Sequence, residues 1–280
     1  MIALVGIGAD STNSAPTPRV YGDGRFEYIP IPEKRGPEGT TETKTYGTTP
    51  LRHREGTMAD YLEAIRPRPG AEDPPEYTGD RLAEWPLHHD PNFEALTYGE
   101  TTSRAAYTNL LTDLRAGDGV AFYTGLRNAD ASYRHRYLIG YFTVREVVDC
   151  RRIAYEGERV CFTDLPADEQ AALLDDHAEN AHAKRFQATG QITDGDGLVI
   201  VDGAPPGGLL DRAVPISEVN SGGHHYLTDD LQAALDPAPG GNPDRNAYLG
   251  GVKPAHELRI SVEELADIVA EWQSRQPAES

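Results

Sequence analysis

The stretch Leu114–Val144, LRAGDGVAFYTGLRNADASYRHRYLIGYFTV, constrains the fold more than any other. A Gly-Asp-Gly turn ends a helical run, VAFYTGL follows as an apolar strand, and HRYLIGYFTVREVV follows as a second strand after a polar turn. The run before it, TTSRAAYTNLLTDL, carries Ala106, Leu110, Leu111 and Leu114 at helical spacing, with Ser103 as its N-cap. Two adjoining strands behind a helix commit this part of the chain to a helix-backed sheet.

The rest of the chain reads as mixed elements around that hairpin. Residues 1–33 give a strand, a glycine turn, a proline-containing loop and a strand in GRFEYIPIPE, where Phe26, Tyr28 and Pro30 alternate with Glu27 and Ile29. Residues 34–56 and 66–80 are polar and turn-rich and read as two long loops, with a short helix in GTMADYLEAIRP between them. DLPADEQAALLDDHAENAHAKR is one or two helices, with Pro166 in a first turn, and DGLVIVDG is a short buried strand. LTDDLQAALDP is a short helix capped by Thr228, and PAHELRISVEELADIVAEWQSR is a strand followed by a helix whose Ser261 and Glu264 spell a capping box. No internal repeat and no compositional break marks a linker. The expected fold is therefore α+β, one compact domain over residues 1–280 around a strongly bent, barrel-like sheet with flanking helices.

Composition narrows the setting. No stretch approaches the roughly 18 consecutive apolar residues of a membrane span. The N-terminal apolar run lacks the basic flank of a signal peptide, so a cytoplasmic, membrane-free protein is expected. Cys150 and Cys161 are the only cysteines; they read as two buried free thiols and exclude a cysteine-rich zinc site. The net charge is −19 and only four of the 26 basic residues are lysines, a balance resembling proteins of salt-in halophiles, with an archaeal source expected. In molar salt, charges are screened over about 3 Å and counterion release from phosphates contributes little. The acidic surface therefore does not exclude a nucleic-acid partner.

Several motifs carry chemistry. MIALVGIGADST has Gly6 and Gly8 but serine at 11, and Pro16 and Pro18 follow. The third glycine and the helix of a dinucleotide-binding fingerprint are both missing. Asp10 is left at a strand end, where it either caps a turn or acts as a functional acid. In WPLHHDPNFEALTYGE, His88 or His89 with Asp90 supplies a general acid/base pair or part of an oxygen–nitrogen metal site, or else the segment is a surface loop. HAENAHAKR places His177, Asn180, His182 and Arg185 within nine residues, five rather than four separating the histidines, so a helical zinc spacing is missed. No metal set is assigned from these spacings. SGGHHY at 221–226 reads as an ordinary loop or a mobile one over a site.

The hairpin strands resemble those of PUA-like barrels, including the EVE and ASCH groups, over about residues 101–150. Such barrels hold flipped or single bases between aromatic side chains, which would make Tyr123, Tyr141 and Phe142 wall residues; the alternative is barrel core. Taken together, ALVGIGADST, FEYIPIPE, HDPNFEALTYGE, GDGVAFYTGL, YLIGYF, ENAHAKR and AHELRIS resemble the nucleotide modification associated domain 3 family of prokaryotes and phages, over essentially the whole chain. The resemblance implies a role in DNA modification or in the response to modified DNA, with phage defence as a setting. The polar members of the matching motifs are Asp10, Asp90, Tyr98, Asn180 and His182.

Three readings follow. In the first, the chain recognises a modified base in DNA or a nucleotide, with Tyr98, Tyr123, Tyr141 and Phe142 near the base and Asn180, Arg185 or Asp10 on its polar edge. In the second, it is an enzyme with Asp10 and Asp90 as acid/base or metal-binding carboxylates and His182 as a proton shuttle. In the third, it is a non-enzymatic interaction protein of a halophile. Cofactor and oligomeric state are left unassigned.

Overall fold

The computed structural model describes residues 1–10, 12–67, 76–101, 104–128, 134–192, 197–239, 247–250 and 255–275. Its centre is the expected hairpin: Gly119–Asn128 pairs antiparallel with Arg134–Asp149. The sheet runs in the order Ala255–Leu258, Ile2–Gly6, Gly119–Asn128, Arg134–Asp149, Leu198–Pro215, Thr97–Thr101. Ile2–Gly6 lies parallel to Gly119–Asn128, as does the two-residue strand Arg19–Val20; the other pairings are antiparallel. The strands curl into a half-barrel, so the mixed α and β class and the strongly bent sheet are both present.

Strand alternation explains why the sheet sits in the middle. Val120 and Phe122 point into one core with Val5, Tyr98, Phe142 and Leu111 of the helix Ala105–Asp113. Ala121 and Tyr123 point to the other side, where Leu231 of Asp229–Leu235 and Leu265 and Val269 of Val262–Ser274 pack. Both faces are therefore covered, as a near-continuous apolar strand requires. A third cluster around Leu174, Ala183, Leu198 and Ile200 seats the helices Ala167–Asp175 and Ala181–Thr189 against the far end of the sheet. The final helix carries the expected reciprocal capping box, Ser261 with Glu264.

Some expectations are corrected. GRFEYIPIPE is not one regular strand: Arg25 and Phe26 make isolated bridges to Arg212 and Val20, and Ile31–Pro32 pairs with Leu87–His88. Phe26 through Pro30 are all buried, so alternation has no solvent side to select, and Glu27 is instead bonded by Tyr21 and by the Arg52 and His53 amides. Residues 34–56 are not a loop over the surface. Tyr46 is fully buried, with its hydroxyl donating to Pro30, and it joins Leu51, Met58, Ile65, Tyr77 and Leu82 in a separate core. Tyrosine and leucine spaced irregularly among polar residues build this layer without any helical or strand period. DGLVIVDG extends to Leu198–Pro215, eighteen residues, because register shifts after Asp202, Ala204 and Leu209 let its glycines and prolines bulge within the ladder. SGGHHY is the turn between the paired strands Ser217–Val219 and His225–Leu227. Cys150 is buried and Cys161 half-buried, and both are free thiols. Ser11, Ser103 and most of the 66–80 segment (68–75) lie outside the described residues. Among the described residues, no helix is long and apolar enough to cross a membrane.

Candidate functional site

Thr97–Thr101 is the last strand of the sheet, so its outer edge has backbone groups to satisfy. The preceding segment folds back to do this. Asn92 and Thr97 exchange backbone hydrogen bonds, and the Gly99 amide donates to Asp90 Oδ1 at 2.9 Å. Asn92 fixes the return: its Oδ1 accepts from the Glu94 and Ala95 amides, and its Nδ2 donates to the Glu179 carbonyl. HHDPN is thus pinned against the edge strand, with the Asp90 side chain 5% exposed and its Oδ2 left facing outward from the strand.

A second element brings histidine to the same edge. The helix expected across HAENAHAKR begins only at Ala181, because Asn180 is its N-cap, accepting from the His182 amide at 3.0 Å. Asn180 Nδ2 donates to Thr97 Oγ1 at 3.1 Å, which locks the helix start to the edge strand. His182 then lies directly over Gly99; a Cβ there would sit 2.6 Å from His182 Cδ2 and 3.0 Å from Asn180 Oδ1. Glycine at 99 is therefore a condition for the imidazole to be where it is.

His88, Asp90 and His182 converge. His182 Nε2 is 3.4 Å and His88 Nε2 3.8 Å from Asp90 Oδ2, and the two imidazoles meet edge to face at 5.1 Å. One donor atom from each of the three residues lies within 4.8 Å of the others, the spacing of a group able to hold a metal ion. Behind His88, its Nδ1 is 3.2 Å from Glu33 Oε2, and Arg185 grips Glu33 with Nε and Nη2, both at 2.9 Å. The Glu33 and Arg185 side chains are 1% and 3% exposed. Burial pushes the Glu33 carboxyl up, but the hydrogen bond and charge of His88 and the Arg185 guanidinium hold it well below the usual carboxylate range. Burial likewise pushes the His88 imidazole down, against the pull of Glu33, which favours its neutral form.

Two tyrosines flank this group. Tyr28 is fully buried; burial, with Asp90 as its charged neighbour, raises its hydroxyl, which has no hydrogen-bond partner among the described residues. Gly8, at φ +73°, brings the opening turn against the Tyr28 ring, where a Cβ would lie 3.0 Å from Cε2. Tyr98 donates to Glu100 Oε2 at 3.2 Å, and Arg104 bonds the same oxygen at 2.8 Å. Burial raises the Glu100 carboxyl although Arg104 opposes it.

The structure places His182 beside Asp90 and, of the two histidines His88 and His89, sets His88 at the same carboxylate. Asp10 is elsewhere: it holds the Thr12 amide at 2.8 Å and pairs with Arg136 at 2.9 Å, closing the turn after the first strand. The four aromatics expected at a base do not form one wall. Tyr98 and Phe142 belong to the core on one face of the sheet and Tyr123 and Tyr141 to the core on the other, all buried. Asn180 and Arg185, expected on the polar edge of a base, have their side chains engaged inside the protein by Thr97, His182 and Glu33. A cavity of about 300 Å³ opens beside Asn180 and Thr97, lined also by Arg145, His177, Glu179 and Asp202. None of the three converging residues lines it. Spacing alone does not separate His88 from His89: the Asp90 amide donates back to the His88 carbonyl at 2.8 Å, a three-residue turn rather than extended backbone, and this turn sets Asp90 beside His88. Glu33, Tyr28 and Gly99 carry no sequence signal either.

The family model described as nucleotide modification associated domain 3 matches residues 1–237, which include every residue of this group but not AHELRIS. No curated protein and no solved structure matches, so the likeness to PUA-like barrels stands on the hairpin motifs alone.

Proposed function

We propose, from the premise that this chain belongs to the nucleotide modification associated domain 3 family, that it is an enzyme acting on a nucleobase or nucleotide at the His88–Asp90–His182 centre. The observation that carries the reading is the convergence of these three side chains on one point: Glu33 holds His88, the Gly99 amide holds Asp90, and His182 is carried there by a helix whose start Asn180 caps through the His182 amide. Side chains held this way suit delivery of a proton or an activated water to a heteroaromatic ring or its substituent. Burial of the aromatic candidates in two cores favours this over recognition by stacking. Asp10, engaged by Arg136 and Thr12, is left out of the chemistry.

The family's description supports an association with nucleotide modification; the substrate we propose is a base carried in DNA, modified or about to be modified, with phage defence as the setting. We take residues 1–280 as one domain, because Ala255–Leu258 and Val262–Ser274, beyond the matched region, pair with the first strand and pack on the second core. The two free thiols support a cytoplasmic setting, and the −19 charge supports a halophilic source, so assays belong in molar as well as dilute salt.

The test is incubation of the purified protein with plain and modified duplexes, single strands and free nucleotides, followed by mass spectrometry of the nucleosides. The expected result is a mass change in one base that disappears with Asp90→Asn or His182→Gln. Products indistinguishable between wild type and both variants would sink the reading.

A further inference from the structure

The geometry points to a divalent first-row transition metal ion held by His88 Nε2, His182 Nε2 and Asp90 Oδ2. Metal–ligand bonds of about 2.0–2.2 Å place neighbouring donors roughly 3.0–3.6 Å apart. Asp90 Oδ2 stands 3.4 Å from His182 Nε2 and 3.8 Å from His88 Nε2, so the carboxylate edge of the site is close to formed. Rotation of the two rings, which meet edge to face, closes the remaining gap between the histidines.

What distinguishes the group from a chance ion cluster is the backing of two of its donors, His88 and Asp90. His88 turns Nδ1 to Glu33, and Arg185 Nη2 already donates to that same Glu33 oxygen. Arg185 Nη2 also lies 3.3 Å from Nδ1, but its shorter contact, 2.9 Å, is to Glu33; the carboxylate, an acceptor only, takes the Nδ1 proton at 3.2 Å, which leaves the Nε2 lone pair directed at Asp90 and His182. A carboxylate behind a histidine in this way fixes the tautomer and increases the basicity of a metal ligand. Asp90 uses Oδ1 for the Gly99 amide and presents Oδ2 to both imidazoles.

A second, independent observation points to a bound group. The Tyr28 hydroxyl is buried without a hydrogen-bond partner among the described residues, and a buried hydroxyl left unpaired is unfavourable. Two imidazoles and one carboxylate leave open coordination positions, so the ion would supply an activated water or a Lewis acid to the substrate.

The experiment uses the full chain, stripped with a chelator and titrated with Co²⁺, Zn²⁺ and, anaerobically, Fe²⁺, by calorimetry and by the visible absorption of Co²⁺. The expected result is one equivalent bound by wild type and by Asp10→Asn, whose side chain is engaged elsewhere by Arg136, with none bound tightly by His182→Gln. Glu33→Gln should weaken binding about 10- to 100-fold. Absence of binding by wild type, or unchanged binding by His182→Gln, overturns the inference. Should a variant fail to fold by circular dichroism, histidine ¹⁵N spectra of wild type decide: Zn²⁺ must shift the Nε2 resonances of two histidines, and spectra that do not move overturn the site. No nucleotide enters these readouts. Loss of the metal site leaves the base-directed reading standing, and metal binding without any base change removes only that reading.

Discussion

His88 Nδ1 lies 3.2 Å from Oε2 of Glu33, a residue 55 positions earlier, in a part of the chain with almost no regular secondary structure. The contact ties the irregular layer to the edge of the sheet. Glu33 belongs to the irregular layer, His88 to the segment that returns along the sheet edge, and Arg185, from the helix, closes the group.

Arg185→Met leaves the Glu33 carboxylate buried without its guanidinium, with His88 and the Arg35 amide as the partners that stay. Breaking a buried pair from one side costs about 3–5 kcal/mol, and urea denaturation should show a loss of that order. The double variant Glu33→Leu with Arg185→Met should recover most of it, because the uncompensated charge is gone. A single variant within about 0.5 kcal/mol of wild type, the range of an ordinary surface change, would contradict the assigned role.

Gly99→Ala tests the packing of His182. The added methyl would lie 2.6 Å from His182 Cδ2, so the imidazole must swing away or the helix start must shift. The expected cost is about 1–3 kcal/mol in stability, with base turnover and metal binding falling further than stability does. Wild-type turnover in Gly99→Ala would show that His182 acts from a different position.

Asp10→Asn separates a turn anchor from a catalytic acid. The variant loses the ionic partner of Arg136, which is 14% exposed on its side chain, and melting should come at a lower temperature. Turnover measured well below that temperature should stay within about twofold of wild type, under 0.5 kcal/mol in barrier. A loss of a hundredfold or more would return Asp10 to the chemistry.

The pH dependence of stability should carry the signature of His177 and Asp202, which lie 2.7 Å apart. The hydrogen bond from Asp202 raises the His177 imidazole above its ordinary value. Burial pushes the Asp202 carboxyl up, but bonds from His177 and Thr97 and the charge of Arg145 bring it below its ordinary value. His177 therefore holds its proton more tightly when folded; its contribution is complete below about pH 6.5 and is lost as pH rises through the folded value. Asp202 contributes fully above about pH 4 and loses that as pH falls through its own folded value. Denaturant midpoints of wild type and His177→Gln should thus differ most near pH 5 and converge by pH 9. A difference that grows with pH would reverse the assignment.

The legible parts of the molecule are those with a period. Val120 to Leu126, Leu198 to Val201 and the Ser261 capping box announce themselves by alternation, apolar runs or cap spacing, and they form as read. The layer around Tyr46, Leu51 and Tyr77 has no period, since its residues are buried one at a time by contacts across the chain. The centre was half legible for the same reason. Asp90 and His182 stand in polar motifs that stop otherwise apolar text. Glu33 hides inside a proline-rich run, and Gly99 is informative only once His182 is seen above it. The aromatic residues misled because alternation divides Phe122 and Phe142 from Tyr123 and Tyr141, while their density along the sequence suggested one surface.

The separation of Glu33 from Arg185 also sets an order of events during synthesis. The carboxylate leaves the ribosome 152 residues ahead of the guanidinium that makes its burial tolerable. Until then, closing the irregular layer around Glu33 would strand a charge, so the layer must wait for a helix from much later in the chain. A fragment ending before Ala181 therefore contains His88 and Asp90 but not His182, and the three side chains can meet only once the helix Ala181–Thr189 has been made.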